Sequence, residues 1–257
     1  MKQGFHLYDT HTHIGTARHS GRTCSAGDLL RAMDRQGVDR SVAIPFPVVD
    51  DYRAAHDEIG KAVRDYPDRF TGTACLPPFL PEDIFREEVR RCVEEYGFRA
   101  LKFQPQYHPV NPISNRSDYI FGTAEELGLA VICHTGSGIP FALPSLFIIP
   151  ARKFPMLPIV LGHAGGGGIY VAEAIVAAVV CPNIYIEVSS LTPHHVLEVL
   201  AHVPSTRVMA GSDLPESIEI ELGKILTLEI PKAKKQDILW NTGRLIFDGV
   251  AASEGMA

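Results

Sequence analysis

The sequence lacks a charge excess of one sign, a long apolar run and any closely paired cysteines. Its 257 residues carry 24 Lys and Arg against 30 Asp and Glu, a net charge of −6, without a basic cluster. This balance argues against nucleic acid or an anionic membrane surface as the main partner. The longest apolar run, YVAEAIVAAVV at 170–180, is too short for a transmembrane helix and is interrupted by Glu173.

Signals for secretion and for disulfide bonding are also missing. The first residues, MKQGFHLYDTHTH, lack the apolar stretch and the small-residue cleavage site of a secretory signal. The five cysteines are widely spaced, without a CxxC motif: Cys24, Cys75, Cys92, Cys133 and Cys181. This spacing predicts buried, reduced thiols. We therefore expect a cytoplasmic protein that acts on a small-molecule substrate, with neither nucleic acid nor a membrane as partner.

Short β-rich runs alternate with helical patterns along the chain, and eight strands are predicted. They are HLYDTH, SVAIPF, RFTGTACL, ALKFQP, LAVICHTG, IVLGHAG, NIYIEVSS and RVMAGSDLP. Asp9 and Asp213 are 204 residues apart and occupy similar places in the first and eighth units. The seven steps between them give roughly 29 residues per unit, enough for one strand and one helix. The pattern predicts an α/β protein, a single (β/α)8 TIM barrel forming one domain over residues 1–257, with a short tail after about residue 249. A doubly wound open sheet is the structural alternative.

Polar residues recur at the C-terminal ends of the predicted strands, as expected at the mouth of a barrel. They are His11, His13, Lys102, His134, His163 and Asp213. His11 and His13 are two apart, so both side chains point to the same side of a strand. Several imidazoles and a carboxylate at one point indicate a divalent metal, zinc first, which makes hydroxide available at neutral pH. A lone HxH or GSD is usually structural; the joint pattern is what predicts the site.

Five motifs, in this order, resemble those of the amidohydrolase superfamily: DTHTHIG, LAVICHTG, IVLGHAGG, NIYIEVSS and VMAGSDLP. The likeness is nearer to its amidohydrolase-related branch, which includes aminocarboxymuconate-semialdehyde decarboxylase, and DILWNTGRLIF resembles that branch's closing helix. The resemblance implies a zinc ion held by four residues, His11, His13, His134 and Asp213. It also implies catalytic roles for Asp213 and His163, and a homodimer as the family-level expectation.

The resemblance leaves the number of metal ions open. One zinc ion per chain is favoured. In binuclear members, however, the sixth-strand histidine, here His163, binds a second ion, and a carboxylated fourth-strand lysine, here Lys102, bridges the two. Lys102 could instead contact a substrate carboxylate or form a salt bridge under the mouth.

Two reactions fit this set of residues. The first hypothesis is a metal-dependent hydrolase of a C–N or C–O bond in a small, carboxylate-bearing substrate, contacted by Arg18, Arg22 and Gln104. Solvated loop charges are the alternative for the two arginines. The second hypothesis is a metal-dependent, non-oxidative decarboxylase of an unsaturated or aromatic acid. A metal-free lactonase and a catalytically silent ligand-binding barrel are further alternatives.

Overall fold

Parallel strands alternate with helices in the computed structural model, which describes residues 1–136 and 140–249. Its strands are β1 (Tyr8–Thr16), β2 (Thr23–Cys24), β3 (Arg40–Pro45), β4 (Phe70–Cys75), β5 (Ala100–Phe103), β6 (Ala130–His134), β7 (Ile159–Gly162), β8 (Ile184–Glu187) and β9 (Val208–Met209). All eight predicted strands are therefore present. The short antiparallel β2 was not predicted. The predicted tail after about residue 249 lies outside the described residues.

The helices follow the strands on the outside of the sheet. They are α1 (Ala26–Gln36), α2 (Tyr52–Asp65), α3 (Glu82–Tyr96), α4 (Asp118–Glu126), α5 (Ile148–Lys153), α6 (Val171–Val180), α7 (Pro193–His202), α8 (Ile218–Thr227), α9 (Lys232–Gln236) and α10 (Thr242–Asp248). A π-helical turn (Asp237–Asn241) joins the last two. Helix α1 shows the local logic: Ser25 caps its first turn, and Gly37 ends it with a left-handed φ of 71°.

The sheet runs in the order β2-β1-β3-β4-β5-β6-β7-β8-β9. Every pair from β1–β3 to β8–β9 is parallel. A doubly wound sheet would reverse its order at a switch point. The sequential order instead supports the predicted TIM-barrel-like α/β fold, in which all strand C-terminal ends lie on one face.

The first and last strands meet only briefly. One isolated parallel bridge joins Thr12 to Asp213, and the backbone N–H of Thr10 donates to Ala210 O at 3.0 Å. Within the described residues no continuous ladder joins β9, which has only two residues, to β1. Complete closure of the barrel therefore stays a prediction.

The interior is apolar and holds the thiols. All five cysteines are buried and unpaired, as predicted. A second, smaller cluster of buried apolar residues includes Tyr8, Val42, Ile132 and Met209. No helix in the described part of the chain combines the length and apolar character needed to cross a membrane.

Candidate metal and active site

The strand ends that carry the predicted site residues border one pocket of about 280 Å³. Eight predicted residues line it: His11, His13, Arg22, Lys102, Gln104, His134, His163 and Asp213. Of the described site candidates, Arg18 alone lies outside this lining; its side chain is 68% exposed and pairs with Asp50 at 2.8 Å. A larger groove of about 970 Å³ beside α3 and α4 includes none of the eight among its described walls.

Three acceptor atoms converge in this pocket: His11 Nε2, His13 Nε2 and Asp213 Oδ1. The carboxylate oxygen lies 3.6 Å from His11 Nε2 and 3.3 Å from His13 Nε2, and the three groups meet the spacing of a metal cluster. His134 lines the same pocket, with its ring 4.9 Å from that of His163. It is outside the three-atom cluster formed among the described residues.

The contacts of His13 indicate that a cation fits here. Its Nδ1 lies 3.3 Å from the carbonyl oxygen of Pro45, while its Nε2 faces Asp213. A neutral imidazole has a single N–H and cannot donate to both oxygens. A divalent ion between Nε2 and the carboxylate would satisfy both acceptors, so the residues present fit a metal.

Burial favours the neutral form of three imidazoles of the pocket, those of His11, His134 and His163. It lowers the pKa of His11 and His134 well below the ordinary value. Burial and the nearby ring of His11 lower the pKa of His163 to about 4. Burial alone would raise the pKa of Asp213, but contact with His13 and the neighbouring rings lowers it. Neutral imidazoles beside an ionised carboxylate are the forms in which these groups bind metals.

Lys102 is held against one of these acceptors. Its side chain is buried, with Nζ 2.8 Å from His11 Nε2, and burial lowers the pKa of its ammonium. Lys102 therefore lies beside a candidate ligand nitrogen. When its Nζ is displaced from His11 Nε2, it can contact a bound metal or substrate.

Glu187 is the site residue that the sequence did not single out. It lies at the end of β8, fully buried, and its Oε2 is 3.0 Å from His11 Nδ1. The same oxygen accepts from the backbone N–H of His163 at 3.0 Å. The motif NIYIEVSS contains it, and its place at a strand end, like that of His134, was the available signal.

A separate buried cluster lies between α2 and α3 and consists of His56, Glu88 and Cys92. Glu88 forms ion pairs with Arg91 at 2.7 Å and with Arg53 at 3.2 Å. These two guanidinium groups already neutralise the carboxylate, which argues against a metal ion at this second place.

Comparison with known proteins gives a family and several relatives. The family model described as Amidohydrolase matches residues 8–248. The 2-amino-3-carboxymuconate-6-semialdehyde decarboxylase of Dictyostelium discoideum is 25% identical over 169 residues, 53% of this chain. That match spans only 47% of the relative's own length. The gamma-resorcylate decarboxylase of a Polaromonas species is 22% identical over 284 residues, 85% of this chain and 86% of that protein.

Solved structures share the fold at low identity. The 5-carboxyvanillate decarboxylase of Novosphingobium aromaticivorans, complexed with manganese and 4-hydroxy-3-methoxy-5-nitrobenzoic acid, superimposes with a TM-score of 0.78. It is 16% identical, and the match covers 96% of this chain and 97% of that one. This likeness supports the TIM-barrel-like architecture.

Proposed function

Because the chain belongs to the amidohydrolase family of enzymes, we propose that it is a metal-dependent decarboxylase of a small aromatic or unsaturated carboxylic acid. The observation that carries the proposal is the convergence of His11 Nε2, His13 Nε2 and Asp213 Oδ1 in one pocket. Its volume of about 280 Å³ suits a substrate with a single ring.

Hydrolysis of a C–N or C–O bond was the first hypothesis from the sequence, and decarboxylation was the second. Both relatives described above are named as decarboxylases, which reverses the order of support. Hydrolysis remains the alternative because it would use the same residues. Homodimer formation and a cytoplasmic location remain predictions.

We propose that one divalent ion is held by four residues, His11, His13, His134 and Asp213. Imidazole nitrogens suit zinc, whereas a carboxylate oxygen also suits manganese, the metal bound in the carboxyvanillate decarboxylase. When bound, the ion supplies a fixed positive charge that can hold a substrate carboxylate and stabilise negative charge. The expected content is about one ion per chain.

The wall residues would bind and orient the acid. Gln104 is buried, and its Oε1 has no hydrogen-bond partner among the described residues, so it can accept from a substrate hydroxyl. Arg22 faces the pocket but pairs with Glu216, so a substrate carboxylate must compete for it. Phe46, stacked on His13 at 5.1 Å, gives the ring an apolar surface.

Loss of carbon dioxide breaks a carbon–carbon bond and leaves the electron pair on the ring or alkene carbon. That carbon must then receive a proton in place of the carboxylate. We assign this transfer to Asp213 and His163, each of which must first take up a proton from solvent, because the Asp213 carboxylate is ionised and His163 Nε2 is unprotonated. Asp213 retains 35% side-chain exposure, so it can both touch the substrate and exchange a proton with solvent.

The test is an assay for carbon dioxide release from hydroxylated benzoic acids and unsaturated acids, run with zinc-loaded and manganese-loaded protein. A parallel panel of lactones and cyclic amides tests hydrolysis. Asp213→Asn at saturating metal should lose about 100- to 10,000-fold in activity, the cost of one positioned proton-transfer group. The matched control is Asp68→Asn, since Asp68 is exposed, precedes β4 and is not among the residues that line the pocket.

Carbon dioxide release that stops on chelation and returns with metal would support the proposal. Turnover of lactones or amides alone would overturn it in favour of hydrolysis. Lactone hydrolysis that continues at its full rate after chelation would identify the metal-free lactonase instead.

A further inference from the structure

We infer that Glu187 is a positioning residue that sets the tautomers of His11 and His163 together, so that both Nε2 atoms face the pocket as acceptors. Glu187 is fully buried at the end of β8 and touches both histidines. The inference rests on the proposed metal site, and it does not depend on which acid is the substrate.

The backbone fixes the role of the Glu187 carboxylate. Its Oε1 accepts from the N–H of Ser189 at 2.5 Å, and its Oε2 accepts from the N–H of His163 at 3.0 Å. Backbone N–H groups can only donate. Both carboxylate oxygens are therefore acceptors, and any side chain that contacts them must supply a proton.

His11 obeys this requirement from both sides of its ring. Its Nδ1 lies 3.0 Å from Glu187 Oε2, so Nδ1 carries the proton. Its Nε2 then carries no proton and accepts from Lys102 Nζ, 2.8 Å away, which can donate whether it is charged or neutral. The same tautomer satisfies both contacts and directs the Nε2 lone pair at the candidate metal position, as in carboxylate–histidine–metal triads.

Ser189 connects Glu187 to His163 through hydrogen bonds and so fixes the tautomer of the His163 ring as well. Its hydroxyl donates to Glu187 Oε2 at 2.8 Å, which uses its only proton. The hydroxyl oxygen must then accept from His163 Nδ1, 2.7 Å away. His163 thus carries its proton on Nδ1, and its Nε2 faces the pocket as a free base. A buried side chain that only filled space would not determine which nitrogen of each ring carries the proton.

The direct contact of Glu187 with His11 and its indirect contact with His163 through Ser189 lead to different predictions. Glu187 supports a candidate ligand, His11, and through Ser189 it supports a candidate proton-transfer group, His163. Ser189→Ala should therefore affect His163 alone, whereas Glu187→Gln should affect both rings. In Glu187→Gln the amide group must face at least one donor that the carboxylate accepted from.

The experiment uses nitrogen-15 NMR of histidine side chains in metal-free and zinc-loaded protein, with zinc affinity measured by competition against a chelator. Native protein should show Nδ1-protonated signatures for both rings. Ser189→Ala should alter the His163 signature and leave zinc affinity near native. Glu187→Gln should also weaken zinc binding about 10- to 100-fold, as for other partners of metal-bound histidines.

Matched controls carry the same chemical changes elsewhere. Ser190→Ala removes an exposed hydroxyl one residue away, and Glu198→Gln neutralises an exposed carboxylate on α7; neither should move any readout. With an active acid in hand, Ser189→Ala should lower kcat about 10- to 100-fold with little change in KM.

Native protein with His163 protonated on Nε2, or Ser189→Ala with an unchanged His163 signature, would overturn the inference. If Glu187→Gln fails to fold, Ser189→Ala still decides the His163 branch. If no acid is decarboxylated, the proposed reaction fails, while the NMR and zinc measurements still test the positioning role.

Discussion

Replacing Gly211 by alanine should displace His11 and Glu187, because the added methyl group would collide with both side chains. Gly211 follows β9, next to β1 and β8. A Cβ atom added there would lie 2.7 Å from His11 Cβ and 2.8 Å from Glu187 Oε1. Comfortable carbon contacts need about 3.5–4.0 Å, so roughly 1 Å of movement is required. Both neighbours are fully buried, and His11 borders the pocket, so the movement would change the site itself.

The size of the effect follows from that displacement. A shift of about 1 Å in a catalytic group costs on the order of 100-fold in activity. Zinc affinity should fall about 10- to 100-fold, because the contact between His11 and Glu187 is disturbed. Overpacking should also lower the free energy of unfolding by about 1–3 kcal/mol.

The assays are zinc competition with a chelator, urea unfolding and turnover of an active acid. The control is Gly223→Ala in α8, where an added Cβ meets no atom within 4 Å among the described neighbours. It should keep native zinc affinity and gain about 0.5–1 kcal/mol of stability, as an alanine in a helix interior does. Native zinc affinity and turnover in Gly211→Ala would refute the reasoning and show that β1 and β8 yield easily.

The other predictions test the ligands and a remote ion-pair network. His13→Ala should lower zinc affinity, whereas His163→Ala should keep about one zinc per chain and lower kcat; loss of zinc in His163→Ala would favour a binuclear site. Lys102→Met should still bind one ion per chain by metal analysis, and a drop from two ions to one would show that Lys102 bridges two metals. Glu88→Gln should lower the free energy of unfolding by about 2 kcal/mol at pH 7, the usual value for hydrogen bonds to a charged group. Burial opposes ionisation of Glu88, but its contacts with His56 and an arginine hold its pKa at about 2, so the difference in urea unfolding should persist to about pH 4.5 and vanish as the pH falls through 2.

The strands and their C-terminal residues could be predicted because their signals are local. Alternation along β1 puts His11 and His13 on one side, and apolar runs mark the other strands. Helix α8 was not predicted, although Ile218, Leu222 and Ile225 have helical spacing and are buried. The eighth strand, β9, is shorter than predicted because the chain leaves the sheet after Met209.

Contacts between distant segments could not be predicted in the same way. Glu187 is 176 residues from His11, and only the curvature of the sheet brings them together. Arg18 and Arg22 lie in the same loop, yet they point differently. Backbone hydrogen bonds from Ala17 to Arg22 and from Arg18 to Val48 shape this loop, so Arg22 faces the pocket and Arg18 faces Asp50. No local pattern distinguishes the two arginines.

Backbone strain in the described chain is concentrated beside the site. His163, Ser190 and Asp213 have φ values of 64°, 65° and 66°, a region that side chains rarely adopt and that costs about 1–3 kcal/mol each. Each of these three residues donates its own N–H to a partner: His163 to Glu187, Asp213 to His11 O at 2.7 Å, and Ser190 to a glutamate of α8 at 3.0 Å. The left-handed conformations of His163 and Asp213 therefore orient two amides that hold the site together, whereas the Ser190 amide contacts α8. Relief of the strain by glycine would also release that restraint, so these positions connect stability to the geometry of the pocket.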